Sequence, residues 1–341
     1  MRFVRLLGAI PLIVVLTFIL TGKPATFITA GNISGSLVKR SSSAIAITTD
    51  GATLIAVNPD SDTVSLIDTA GLGLLAEIPV GIDPRTVTVD DAGATVYVAN
   101  YASDTVSVID LQSKRVTGEI PVGARPYGIL ASPDGRFLYV AEQGTGWIRF
   151  IETGTWRTIQ HLFVGDRPSG LALASGGQTL HVTHLLKNKI TPVDTRRPYA
   201  TFLPNVLNLQ PTESPGPIRQ PQITDPQPPI SLFPDSNLVQ AIVLHPDGQT
   251  AYIPHTLSNS GNRILTFEST VIPLVSLVDL ESGAHLSGQQ FDLGTLDPPG
   301  VGLPFDAAVT PDGGELWVLN AASNDISVID LATRQLLAHV E

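Results

Sequence analysis

The sequence predicts an all-β chain made of repeated four-stranded antiparallel units, and three observations predict it. First, 30 glycines and 27 prolines in 341 residues accompany 43% hydrophobic but only 15% charged residues. That composition suits strands joined by tight turns and is too apolar for disorder. Second, one segment recurs: Val64-Ser65-Leu66-Ile67-Asp68 returns as Val106-Ser107-Val108-Ile109-Asp110 and as Ile326-Ser327-Val328-Ile329-Asp330, and the acidic positions 68, 110, 152 and 194 are each 42 apart. Third, two more markers keep the same phase: the turn glycines Gly51, Gly93, Gly135 and Gly177, continued by Gly248 and Gly313, and the Val-Gly pairs at 80, 122 and 164, followed by Pro84, Pro126 and Pro168.

Several classes are excluded at once. With no cysteine the chain has no disulfide scaffold, no thiolate metal site and no thiol nucleophile, and no haem is attached to it through Cys-x-x-Cys-His. A formal charge of −11 gives nucleic-acid binding no support.

Residues 1–30 carry Arg2 and Arg5, an apolar run from Leu6 to Leu20 and a small-polar stretch ending at Ala30. That order is a signal peptide or an N-terminal anchor, and a membrane is met only through this segment if it stays uncleaved. Export to a periplasm or cell surface is the expectation. Residues 31–41 form a linker.

The unit 126–167 shows the strand pattern. A small, apolar run from Tyr127 to Ala131 leads into the Pro133-Asp134-Gly135 turn. Phe137 to Ala141 is β-branched and aromatic, and alternating runs follow from Trp147 and from Thr158. Four strands per ~40–50 residues is the signature of a β-propeller blade. The blades are then 42–83, 84–125, 126–167, 168–210, 236–303 and 304–341. Six are visible, and by register Glu341 falls inside the last strand of the sixth, so a truncated seven-bladed propeller fits as well. The fifth is enlarged in the hairpin between its second and third strands. The Pro-rich insert 211–235 reads as a loop or linker. A decayed blade is the alternative.

Val96-Tyr97-Val98-Ala99-Asn100 and Leu138-Tyr139-Val140-Ala141-Glu142 resemble the YVTN-type β-propeller repeat over about 42–341. The stretch from Tyr252-Ile253-Pro254-His255 to Val271 is similar to a subgroup linked to di-haem cytochrome c peroxidase-like domains. The resemblance implies an exported protein and a redox partner carried elsewhere. Its relatives include lactonase-like and surface-layer-like propellers.

Candidate chemistry gathers at one blade end, where the loops between blades and those joining strands two and three open. The position closing strand two is Asn58, Asn100, Glu142, His184, His255 and Asn320. Glu142, His184 and His255 are chemically a divalent-metal set; the alternative is a polar rim, since equivalent atoms on neighbouring blades sit on the order of 10 Å apart. The inter-blade loops add Arg85, Arg125, Tyr127, Arg167 and Asp306. Three arginines there could take a small carboxylate or phosphate, or each could cap its loop and pair with Asp83 or Asp166. No hydrolase or phosphate-loop motif is present. Three readings follow: a scaffold for a protein partner or small anionic ligand, a lactonase-like metal-dependent hydrolase, and a cell-surface structural protein.

Overall fold

The computed structural model describes residues 40–187, 189–196, 201–202, 207–209, 235–258, 271–286, 288–295 and 302–340. The N-terminal segment, most of the linker and residues 211–234 of the Pro-rich insert lie outside them. The chain divides into two compact units, the first holding 42–177 and the second 39–41 with 178–341.

The first unit contains three complete meanders. Blade one runs Ile45–Ile47, Thr53–Asn58, Thr63–Asp68 and Leu74–Pro79. Blade two runs Pro84–Val89, Thr95–Asn100, Thr105–Asp110 and Arg115–Pro121; blade three runs Pro126–Ala131, Phe137–Glu142, Trp147–Glu152 and Arg157–Phe163. In each, consecutive strands pair antiparallel in sequence order. Pro168–Ala174 follows, and Leu171 exchanges bonds with Ser42: its carbonyl accepts from the Ser42 N–H at 2.7 Å and its own N–H donates to Ser42 Oγ at 2.8 Å.

The period-2 pattern of the second strands is buried on both faces. Val96 and Val98 join Ile55, Val57, Val64 and Leu66 of blade one in one cluster. The alternating residues Tyr97 and Ala99 join Ile129, Leu138, Val140 and Ile151 of blade three in another. Strand geometry sends successive side chains to opposite faces, so blade two is packed between blades one and three. A fully buried Val, Ile or Leu contributes roughly 1.5–3 kcal/mol.

The turn glycines do what the repeat predicted. Gly51, Gly93, Gly135, Gly177, Gly248 and Gly313 all have positive φ, between 68° and 82°, which glycine adopts without steric cost. Where an aspartate precedes the glycine, it holds the same turn. Asp134 Oδ1 accepts from Ser132 Oγ and from the Arg136 N–H, and Asp312 Oδ1 from Thr310 Oγ1 and the Gly314 N–H. The acidic repeat marker has its own task. Asp68, Asp110, Asp279 and Asp330 accept the backbone N–H three residues on, which closes the turn between strands three and four.

In the second unit, Thr179–His184 pairs with Lys189–Asp194, which also pairs with Thr201–Phe202 and Leu207–Asn208. In blade five, Asp235–Asn237 and Val243–Leu244 both pair with Thr250–Ser258. That strand and Val271–Asp279 are nine residues each and paired throughout, from Thr250↔Asp279 to Ser258↔Val271. The enlargement therefore lengthens the hairpin of strands two and three. Blade six runs Pro304–Val309, Glu315–Asn320, Asp325–Asp330 and Leu336–Val340. Its Leu316, Val318 and Ile329 pack with Tyr252, Val275 and Phe291 of blade five.

Candidate functional site

The strand-two position is where the structure departs most from expectation. It is not a polar rim: Asn100, Glu142, His184, His255 and Asn320 are all buried. In every blade its side chain reaches diagonally to strand three. Asn58 Nδ2 donates to Ser65 Oγ at 2.9 Å, Asn100 Nδ2 to Ser107 Oγ at 2.9 Å, and Asn320 Nδ2 to Ser327 Oγ at 3.0 Å. Glu142 accepts from Arg149 Nε, His184 Nε2 bonds Thr191 Oγ1 at 2.9 Å, and His255 Nε2 bonds Ser276 Oγ at 2.8 Å. Register explains the geometry: Val98↔Ser107 and Asn100↔Thr105 pair directly, which makes Asn100 and Ser107 diagonal neighbours on one face. The position ties two strands of its own blade.

Glu142 and Asn100 also meet the preceding blade. Glu142 Oε1 accepts the Gly123 N–H at 2.8 Å and Oε2 accepts from Thr145 Oγ1 at 2.8 Å. A Cβ on Gly81 would sit 2.6 Å from Asn100 Cγ, and one on Gly123 would strike the Glu142 carboxylate. The Val-Gly marker thus leaves room for the next blade's polar tie.

Glu142, His184 and His255 are the donors suited to a metal. Among the described residues no group of three or more His, Asp or Glu is placed to hold one. Burial lowers the His255 pKa to about 4 and that of His181, on the strand Thr179–His184, also to about 4, so both rings are neutral at pH 7.

The inter-blade loops hold the second set. Asp83, Arg125, Arg167 and Leu303 each precede a proline and take left-handed φ of 56°, 56°, 48° and 54°. Just inside, register shifts interrupt the first strands. Pro84↔Asn100 is followed by Thr86↔Ala99, which leaves Arg85 as the extra residue, and Pro126↔Glu142 is followed by Ile129↔Val140, which bulges Tyr127 with Gly128. Bulges re-aim side chains, and here they converge on Tyr101. The Arg85 guanidinium lies 5.3 Å and that of Arg125 5.9 Å from the Tyr101 ring centroid. The Tyr127 ring meets Tyr101 edge-on, with centroids 6.3 Å apart. Tyr101 OH donates to the buried Gln143 Oε1 at 3.1 Å, which fixes the ring.

Arg85 also pairs with Asp83 at 2.9 Å. Asp104 is engaged by the Arg125 backbone N–H at 2.8 Å, and the Arg125 guanidinium has no carboxylate partner among the described residues. Two cations at one aromatic ring, one of them without a carboxylate partner among the described residues, can bind an anion. Arg167 is exposed, and Asp306 accepts the Ala307 N–H at 2.8 Å; neither is part of the Tyr101 cluster. Sequence reading missed Tyr101, Gln143 and Arg149. Their signal was available as departures from the repeat: Arg149 stands where other blades carry Ser or Thr. Trp156 occupies the turn between strands three and four and covers Gly118.

Comparison with known proteins comes to the same fold. The family model described as lactonase, 7-bladed beta-propeller, matches residues 23–121. No curated protein matches. Among solved structures, a chain of Kuenenia stuttgartiensis hydrazine synthase is similar at 21% identity with a TM-score of 0.69, covering 91% of this chain and 90% of that one. A protein of unknown function from Desulfotomaculum acetoxidans follows at 17% identity and a TM-score of 0.64, covering 88% and 85%. A Bacteroides uniformis protein to which 6-phosphogluconolactonase activity is ascribed is similar at 18% identity and a TM-score of 0.61, covering 86% and 82%. At such identities the likeness carries the fold: a β-propeller of four-stranded antiparallel blades.

Proposed function

We propose that the protein is an exported β-propeller scaffold that takes a small anionic ligand at the Arg85–Tyr101–Arg125 cluster and docks a protein partner. The observation that carries the reading is that cluster, in which two guanidiniums share one hydrogen-bonded tyrosine ring and Arg125 has no carboxylate partner among the described residues. The resemblance to YVTN-type repeats linked to di-haem domains supports a cytochrome c-type redox protein as the partner. Periplasm or cell surface is the matching location. Calorimetry with a monocarboxylate and with inorganic phosphate tests the ligand site. Binding that Arg125→Ala weakens about tenfold or more supports it, and no measurable heat with either anion removes it. Cross-linking in an envelope fraction tests the partner.

A lactonase-like hydrolase is the second reading, favoured by the family-model match over 23–121 and the Bacteroides neighbour. Turnover on a lactone panel that rises with added divalent metal would replace the scaffold reading.

A further inference from the structure

We propose that the outer hairpin of blade one is the docking surface for a basic protein partner, one whose contact face sets lysines or arginines around an apolar centre. The proposal rests on the protein-partner half of the reading above.

The turn between strands three and four places one residue at the same tip in five blades, four after the acidic marker. It is Leu72, Lys114, Trp156, Gly283 and Arg334, with φ of 55°, 53°, 57°, 70° and 62°. Left-handed φ is free for glycine and costs about 1 kcal/mol or more for a branched side chain. Trp156 covers Gly118, and the Arg334 guanidinium lies 4.5 Å over Phe291. Lys114 is a solvated cation. Leu72 instead combines the left-handed backbone with 39% exposure. Beside it, Leu74 is 62% and Leu75 42% exposed on the edge strand Leu74–Pro79, which among the described residues pairs only with Thr63–Asp68. Exposed leucines on an open edge normally invite misassociation, and proteins usually blunt such edges with lysine. Blade one does the opposite.

Charge selects the partner. Residues 42–83 contain Asp50, Asp60, Asp62, Asp68, Glu77 and Asp83 but no Lys, Arg or His. Blade two carries Arg85, Lys114, Arg115 and Arg125 against five carboxylates, and blade three balances four arginines with four carboxylates. Asp68 and Glu77 flank the exposed leucines directly. An apolar patch on a blade whose own charges are all negative attracts a cationic face, repels an acidic one and repels a second copy of itself.

The test uses the full chain and two soluble basic peptides of equal charge, one alternating lysine with leucine and one alternating lysine with serine. Binding is followed by calorimetry at low and at high salt. The lysine–leucine peptide should bind about tenfold or more tightly than its serine counterpart, and salt should weaken it. Leu72→Gly relieves the left-handed backbone, so the variant should melt no lower than the parent. Combined with Leu74→Ser it should lose about tenfold in affinity. Glu77→Lys should slow association and weaken binding further. Leu337→Ser, at an exposed leucine on the matching edge strand of blade six, should change nothing. Equal affinity for both peptides overturns the proposal, as does undiminished binding by a folded Leu72→Gly/Leu74→Ser protein or an equal loss in Leu337→Ser. If a partner captured from the envelope binds that double variant normally, the surface is wrong and the scaffold reading stands. Failure to capture any partner counts against the scaffold reading alone, because the peptide experiment does not use it.

Discussion

Blades two and three have the same strand lengths and the same register between strands two and three, yet they close the diagonal between those strands with opposite chemistry. Blade two uses a neutral pair, Asn100 with Ser107; blade three uses an ion pair, Glu142 with Arg149. Both partners differ together, and each pair is internally matched. The position therefore demands a satisfied donor and acceptor, whatever their charge, because an unpaired polar group in a dry interface costs about 1–3 kcal/mol and an unpaired charge more. Histidine with Thr or Ser is the third solution, in blades four and five. A set that looks in sequence like a row of metal donors is, in each blade, one half of a strand-to-strand tie.

The largest expected effect comes from breaking the charged version. Arg149→Ala leaves Glu142 buried without its guanidinium and should cost about 3–5 kcal/mol in urea unfolding. Converting blade three to blade two's chemistry with Glu142→Asn and Arg149→Ser should recover most of that loss, and equal destabilisation by the double variant would refute the pairing.

The glycine markers sharpen the contrast. Gly123→Ala and Gly81→Ala put a methyl group against Glu142 and Asn100, and each should cost about 1–3 kcal/mol. Gly73→Ala, with no atom within 4 Å of its would-be Cβ, should stay within about 0.5 kcal/mol in thermal melts.

Acid separates the histidine blade from the asparagine ones. His255 has its pKa lowered by burial from 6.5 to about 4, so between those values the unfolded chain binds the extra proton. Stability is complete above pH 6.5 and falls as pH drops toward 4, by about 2 kcal/mol at pH 5. His255→Asn copies the other blades and should remove that share of the pH slope. An unchanged slope would assign it elsewhere, with His181 next in line. The smallest loss among the strand-to-strand ties is in the neutral pair. Ser107→Ala removes one bond while Asn100 Nδ2 keeps Thr105 at 3.1 Å, so about 0.5–1.5 kcal/mol is expected by urea titration.

Much of this architecture was legible before any coordinates. The 42-residue period, the turn glycines and the alternating strands obey rules that act within a few residues of chain: two-residue side-chain alternation, glycine's access to positive φ, aspartate's reach to nearby backbone N–H groups. The tie was half legible, since Asn100 and Ser107 are only seven residues apart across a short turn. In blade five the lengthened hairpin moves the same partner, Ser276, to 21 residues from His255, and no local pattern reveals it.

The sequence by itself determined how many blades could be recognised, where their strands and turns lie and which positions repeat, because those are properties of short chain segments. Only the tertiary structure decided what the repeated positions do. Glu142 meets Gly123 in the preceding blade, and Arg85 and Arg125, forty residues apart, reach one tyrosine ring. Such contacts are set by blade packing and bulged first strands, and the identity of the residues does not contain them.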